Sequence, residues 1–182
     1  MGRPRTFDRD VALASALQLF WRNGYKGTSI SDLTTAMGIA PPSLYAAFGD
    51  KRQLFDEAAD LYQSHPASFS TRALQEPTAR AAIARLLHDA ALEYTKAGQP
   101  RGCLILSEPL LGRHREQSRH ALIERLQRGR TDGDLDVEVD IDALADYITV
   151  VLSGLSAQAR YGADHVQLIA AADAAMRAWP DS

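Results

Sequence analysis

Two hydroxyls stand two residues apart, Ser43 and Tyr45, in a stretch almost free of charge, GIAPPSLYAAF (38–48). A neutral hydroxyl donates one hydrogen bond and accepts others without bringing a charge of its own. Hydroxyls beside a helix N-terminus, with its partial positive charge, suit contact with a duplex phosphate backbone and groove floor. The other chemistry-bearing residues are sparser. Cys103 is the sole cysteine, so no intrachain disulfide forms, and no base or orienting partner for a cysteine nucleophile can be assigned. His65, His88, His114, His120 and His165 have no metal-ligand spacing, so neither a structural zinc nor any other metal is expected, and no cofactor is called for. The expectation is a binding protein without a catalytic residue.

The elements that position these hydroxyls are helices. Asp8 is an N-cap, and Leu13, Ala16, Leu17 and Phe20 follow at helical spacing until Asn23-Gly24. Thr28 or Ser29 caps the next helix, and Ser29 with Asp32 forms the capping-box pattern. Ile30, Leu33 and Met37 form its buried stripe, and Gly38 supplies a left-handed stop. With Ala40 as N-cap, Pro41 and Pro42 fill the first turn of the third helix, where their missing amides would have been unpaired in any case. Ile39 and Leu44 make a hydrophobic staple, and Leu44 and Phe48 dock the helix on the first two. Asp50 caps a fourth helix with Leu54, Phe55, Ala58, Leu61 and Tyr62 inward. The short link between the second and third helices is a helix-turn-helix arrangement.

Charge is distributed unevenly. Net charge is −3 over 182 residues, but residues 1–55 carry seven Lys/Arg against four Asp/Glu, and the remainder thirteen against nineteen. The balances of +3 and −6 permit a polyanion partner at the N-terminal end only. No apolar run reaches the ~18 residues of a membrane span. The start MGRPRT lacks the apolar core of a signal peptide; it fits a loose myristoylation pattern, but a basic arm is the better reading. With a single cysteine, a cytoplasmic location is expected.

The segment GYKGTSISDLTTAMGIAPPSLYAAFGDKRQLF resembles the N-terminal domain of the TetR family of bacterial transcriptional regulators. The resemblance rests on the step from Gly24 to Thr28, the Ile30/Leu33/Gly38 spacing, the Leu44, Tyr45 and Phe48 pattern, and Lys51 opening the next helix. The close match covers about residues 8–58; the remainder matches as a helical domain of the right length. The resemblance implies a homodimer that binds a palindromic double-stranded DNA operator and releases it when a small-molecule effector enters the C-terminal domain. It places Ser43 and Tyr45 on the recognition helix, Thr28 or Ser29 and Lys51 on phosphates, and Arg3 and Arg5 in a minor groove as an arm. The family commonly has Ser at the position of Ala40, and often a polar or basic residue and a Gly where Pro41 and Pro42 stand. Prolines leave few side chains for bidentate base reading, so apolar contacts to thymine methyls and shape readout are expected to carry more of the specificity.

The fold class expected is all-α, with an N-terminal helix-turn-helix domain over 1–50 and a larger effector-binding and dimerisation domain over 51–182. A helix at 51–63 connects the two. Further helices are expected at 78–97, from about Gly102, up to Arg130, at 141–161 and at 165–179. By resemblance, the helices at about 115–130 and 141–161 pair with their symmetry mates, the small residues Ser153, Gly154 and Ala157 permitting close approach. His88, Leu92, Cys103 and Tyr147 are the expected effector contacts. Two rival readings stand beside this one: an effector-independent architectural DNA-binding protein, and a regulator that senses oxidants or electrophiles through Cys103, activated by Arg101 and nearby amides.

Overall fold

The computed structural model describes residues 7–64 and 68–180, so the arm residues Arg3 and Arg5 lie outside it. The chain divides into two units, Met1–Ser64 and His65–Ser182. Among the described residues there is no β-strand.

The first unit holds α1 (Arg9–Asn23), α2 (Ile30–Met37), α3 (Pro41–Phe48) and α4 (Lys51–Ser64). Asp8 caps α1, its carboxylate accepting from Asp10 N and Val11 N. Apolar residues recurring at three- and four-residue steps place Ala16, Phe20, Leu33, Leu44, Leu54, Phe55 and Ala58 in one core, each fully buried. α1 packs on α2 and α4, and α3 rests on both α2 and α4. Aromatic rings fill the centre, with Phe20 edge-on to Phe55 at 4.9 Å. Leu54, Phe55, Ala58 and Ala59 commit α4 to this core, so the structural division falls after Ser64 rather than after Asp50. Leu61 and Tyr62 are half-buried instead of inward, as is Ile30 in α2.

The second unit runs through α5 (Phe69–Ala73), α6 (Ala79–Glu93), α7 (Leu104–Ser107), a 3-10 turn at Pro109–Leu111, α8 (Gly112–Asp132), α9 (Ile141–Arg160) and α10 (His165–Met176). α6 packs against α5, α8, α9 and α10, and α8 lies along α9. The helix expected from Gly102 is broken into α7 and the 3-10 turn, because Pro109 has no amide for a continuing helix. The outer face of α9 leaves Tyr147 and Val150 39% and 69% exposed and Gly154 facing open space.

Candidate nucleic-acid interface

The α2–turn–α3 segment follows local rules almost residue by residue. Ser29 caps α2 and forms a complete capping box with Asp32. Gly38 adopts φ +66°, where a Cβ would be disfavoured, and the Gly38 and Ile39 amides both turn back on the Thr34 carbonyl. Ala40 is the N-cap of α3 and makes no side-chain cap bond. Pro41 and Pro42 bring no N–H, while Ser43 N and Leu44 N both donate to the Ala40 carbonyl, at 2.9 and 3.1 Å. From Pro41 to Leu44, then, no backbone donor is free. The helix dipole remains, but an incoming phosphate finds no amide there, so hydroxyls and cations must supply the hydrogen bonds.

The side chains divide into those still available and those already committed. Pro41, Pro42 and Tyr45 are exposed, Tyr45 by 49%, and Ser43 is half-buried. Among the described residues the Ser43 and Tyr45 hydroxyls have no partner. Thr28 differs from expectation. It is 1% exposed, and its hydroxyl donates to the Gly24 carbonyl at 2.8 Å, closing the turn before α2. Of the Thr28/Ser29 pair, Ser29 is the exposed one, and its hydroxyl is doubly engaged. It accepts Asp32 N at 3.1 Å and donates to Asp32 Oδ2 at 2.6 Å. These bonds from Ser29 hold the Asp32 carboxyl below the usual carboxylate range. A phosphate contact from Ser29 requires its proton to leave that carboxylate.

The cations sort in the same way. Arg9 pairs with Glu57 at 2.6 Å and lies over the Phe48 ring, and Arg52 pairs with Asp56 at 2.9 Å. Arg22, Lys26 and Lys51 have no carboxylate partner among the described residues. Lys51 instead lies over the ring of Tyr25, its ammonium 4.3 Å from the centroid. Neither Tyr25 nor Lys26 stands out in the sequence. The pairing of Tyr25 with Lys51 spans 26 positions and obeys no helical or strand period.

The second unit does not gather the four expected effector contacts into one cavity. His88 Nε2 lies 2.6 Å from Asp173 Oδ1 on an exposed surface, and Leu92 is 48% exposed. The Tyr147 hydroxyl donates to the Ala175 carbonyl at 3.1 Å, so it fastens α9 to α10. Cys103 alone is interior. Its amide donates to Ser156 Oγ at 2.8 Å, and its thiol borders Tyr94, whose hydroxyl is pushed well above its ordinary pKa by burial and then by Cys103. Arg101 does not reach the thiol as expected, since its guanidinium donates to the carbonyls of Ala159, in the last turn of α9, and Ala163, in the turn that follows. A shallow groove on α8, lined by Arg113, Glu116, Gln117 and His120, includes none of the four. Among the described residues no three His, Cys, Asp or Glu side chains are grouped as a metal site requires, and no helix is long and apolar enough to cross a membrane.

Comparison with known proteins places this geometry in context. Residues 12–58 match the family described as bacterial regulatory proteins, tetR family. The HTH-type transcriptional repressor ComR of Escherichia coli (strain K12) is 34% identical over 99% of this chain and 92% of its own length. The HTH-type transcriptional repressor BdcR of the same organism is 32% identical, over 94% of this chain and 88% of its own. Among solved structures, a cysteine-substituted form of the TetR family transcriptional regulator CifR, complexed with 26-base-pair double-strand operator DNA, is 41% identical. It covers 98% of this chain and 100% of its own, with a TM-score of 0.93.

Proposed function

Because this chain belongs to the TetR family of bacterial regulatory proteins, we propose that it is a transcriptional repressor binding a palindromic operator as a homodimer. A small molecule entering the second unit releases it. The observation that carries the reading is the outer face of α3. Two hydroxyls without a partner among the described residues, Ser43 and Tyr45, stand beside two exposed prolines at a helix start with no free amide. That face can donate to phosphate oxygens and press hydrocarbon against thymine methyls, but it cannot make the bidentate contacts that read guanine or adenine. Ser29 and Lys51 extend the backbone contacts to either side, and sequence preference comes largely from methyl contacts and duplex shape. The repressors named above, and the operator complex, support DNA as the partner.

Dimerisation is supported by the α9 face, where Tyr147, Val150 and Gly154 are exposed at a spacing that keeps them on one side of the helix. Burying such a face against its symmetry mate sets the spacing of two α3 helices, and an operator repeats its half-sites at the ~34 Å of one duplex turn. Release is a population shift toward a conformer in which that spacing no longer matches. Of the four expected effector contacts, Cys103 is the interior one, so the effector is proposed to enter beside Cys103, Tyr94 and Ser156.

Selection of bound duplexes from a random pool tests the reading. Enrichment of a palindrome with half-sites one turn apart is expected; a pool that returns unenriched refutes it. Quenching of Trp179 across a small-molecule panel then identifies the effector.

A further inference from the structure

Lys51 is held by an aromatic ring rather than by a carboxylate. Tyr25 lies in the turn after α1, half-buried, and neighbouring rings fix its plane. Its centroid is 6.3 Å from that of Phe20 at an interplanar angle of 16°, and 5.1 Å from that of Phe55 at 58°. The Lys51 ammonium sits 4.3 Å from the same centroid. The nearest carboxylate in sequence, Asp50, is committed elsewhere. Asp50 Oδ1 accepts Gln53 N at 2.8 Å and Asp50 N donates to Gln53 Oε1 at 3.0 Å, a reciprocal cap for α4. Lys51 therefore has no acid paired with its ammonium among the described residues.

A lysine free in solvent samples many rotamers and loses that freedom when it engages a phosphate. A lysine over a ring has lost part of it already. The ring is a weak partner, and an ammonium with three N–H groups still has donors directed away from it. A carboxylate in the same position would neutralise the charge that a phosphate needs; the ring orders it and leaves it intact.

We propose that Tyr25 is a positioning residue for DNA binding, its ring holding the Lys51 ammonium pre-ordered for a phosphate of the duplex. This rests on the function proposed above, with Lys51 as a phosphate contact. The competing role, simple packing between Phe20 and Phe55, makes the same static picture and a different thermodynamic one. The test is a double-mutant cycle of Tyr25→Leu and Lys51→Met, with Tyr25→Phe as the conservative variant, read by fluorescence anisotropy on the selected operator at several salt concentrations.

Lys51→Met is expected to lower the slope of log K against log salt by about 0.9 for each phosphate that the lysine neutralises. Tyr25→Leu is expected to weaken binding about two- to five-fold per engaged subunit, the size of an exposed cation–π interaction. In the Lys51→Met background it should cost nothing further. Tyr25→Phe keeps the ring and should bind like wild type. Additive losses in the cycle, an unchanged salt slope in Lys51→Met, or unaltered affinity in Tyr25→Leu would each overturn the proposal. Should Tyr25→Leu fail to fold, the wild-type protein carries its own test: the Lys51 ε-methylene protons should show an upfield ring-current shift by NMR, and an ordinary shift refutes the platform. A wild-type protein that binds no duplex but shows that shift would instead count against DNA binding itself.

Discussion

Replacing Tyr45 by Phe removes one oxygen from the face of α3 and nothing from the core. Tyr45 is 49% exposed and its hydroxyl has no partner among the described residues, so folding does not depend on that oxygen. Stability should stay within about 0.5 kcal/mol of wild type, as for most surface changes. Binding should not. A hydrogen bond to a charged group contributes roughly 1.5–3 kcal/mol, and the low end applies to a half-exposed ring whose hydroxyl is solvated before binding. At about 1.4 kcal/mol per factor of ten, each subunit loses about tenfold, and a dimer engaging both half-sites about a hundredfold. The hydroxyl is neutral, so counterion release is unaffected and the salt slope should be unchanged. Anisotropy titrations of the selected operator and of a scrambled duplex, each at several salt concentrations, separate the possibilities. Equal losses on both duplexes with parallel salt slopes are expected. Unchanged affinity would refute the phosphate role, and a loss confined to the operator would make the hydroxyl a base contact. A flatter slope would mean that a cation had been displaced as well.

Three further outcomes follow from the geometry. The Asp32 carboxyl is held below the usual carboxylate range by Ser29, so its contribution is present above the unfolded-state pKa and lost as the pH falls through the folded value. The stability gap between wild type and Asp32→Ala should thus be flat near neutrality and close below about pH 4, which denaturant melts across that range will read; a gap that widens in acid contradicts it. Arg125 is 1% exposed, donates from Nη2 to the Glu76 carbonyl at 3.0 Å, and among the described residues leaves Nε and Nη1 without partners, while burial and then Arg128 push its pKa down. Arg125→Met should be neutral or stabilising by about 1–3 kcal/mol in thermal or urea unfolding, and a loss above about 2 kcal/mol would mean that the guanidinium contributes more than its desolvation costs. Val150→Arg places a charge on the exposed α9 face, and sedimentation equilibrium should show self-association weakened by at least about tenfold with an unchanged helical signal; unaltered association moves the interface elsewhere.

What could be read from the sequence was what neighbouring residues decide. The Ser29–Asp32 box, the left-handed Gly38, the Ala40 cap and the two prolines in the first turn of α3 depend on residues within four positions of one another, and all occur. Tyr45 is 49% exposed for the same reason, since its helical phase relative to the buried Leu44 and Phe48 determines it. Side-chain partners across the fold were not legible. Thr28 and Ser29 are adjacent hydroxyls, and only the path of the turn decides that the first is buried on Gly24. His88 meets Asp173 across 85 positions, and Arg101 turns to the end of α9 rather than to Cys103. Pro109 is visible in the sequence, but where the chain resumes its helix depends on Leu111 finding the core. Where an effector would sit was not legible either, because an apolar helix pattern shows that a face is buried without showing what it encloses.

The start of α6 has a history built into it. Thr78 serves the Ala81 amide, but the Ala79 amide is served by the Asp134 carboxylate, at 3.0 and 3.1 Å, from 55 positions further along the chain. Gly129 keeps the junction tight, since a Cβ there would lie 2.6 Å from Ala79 Cβ and 2.7 Å from Asp134 Oδ1. On a ribosome adding about 5–20 residues per second, that carboxylate arrives about 3–11 s after the amide it serves. Through that interval the first turn of α6 has only its local cap, and the helix on which α8, α9 and α10 all assemble is finished by a residue made after the whole of α8. The start of α6 is in this sense completed from the middle of the second unit, and a nascent chain that stops short of Asp134 carries a central helix whose Ala79 amide lacks its acceptor.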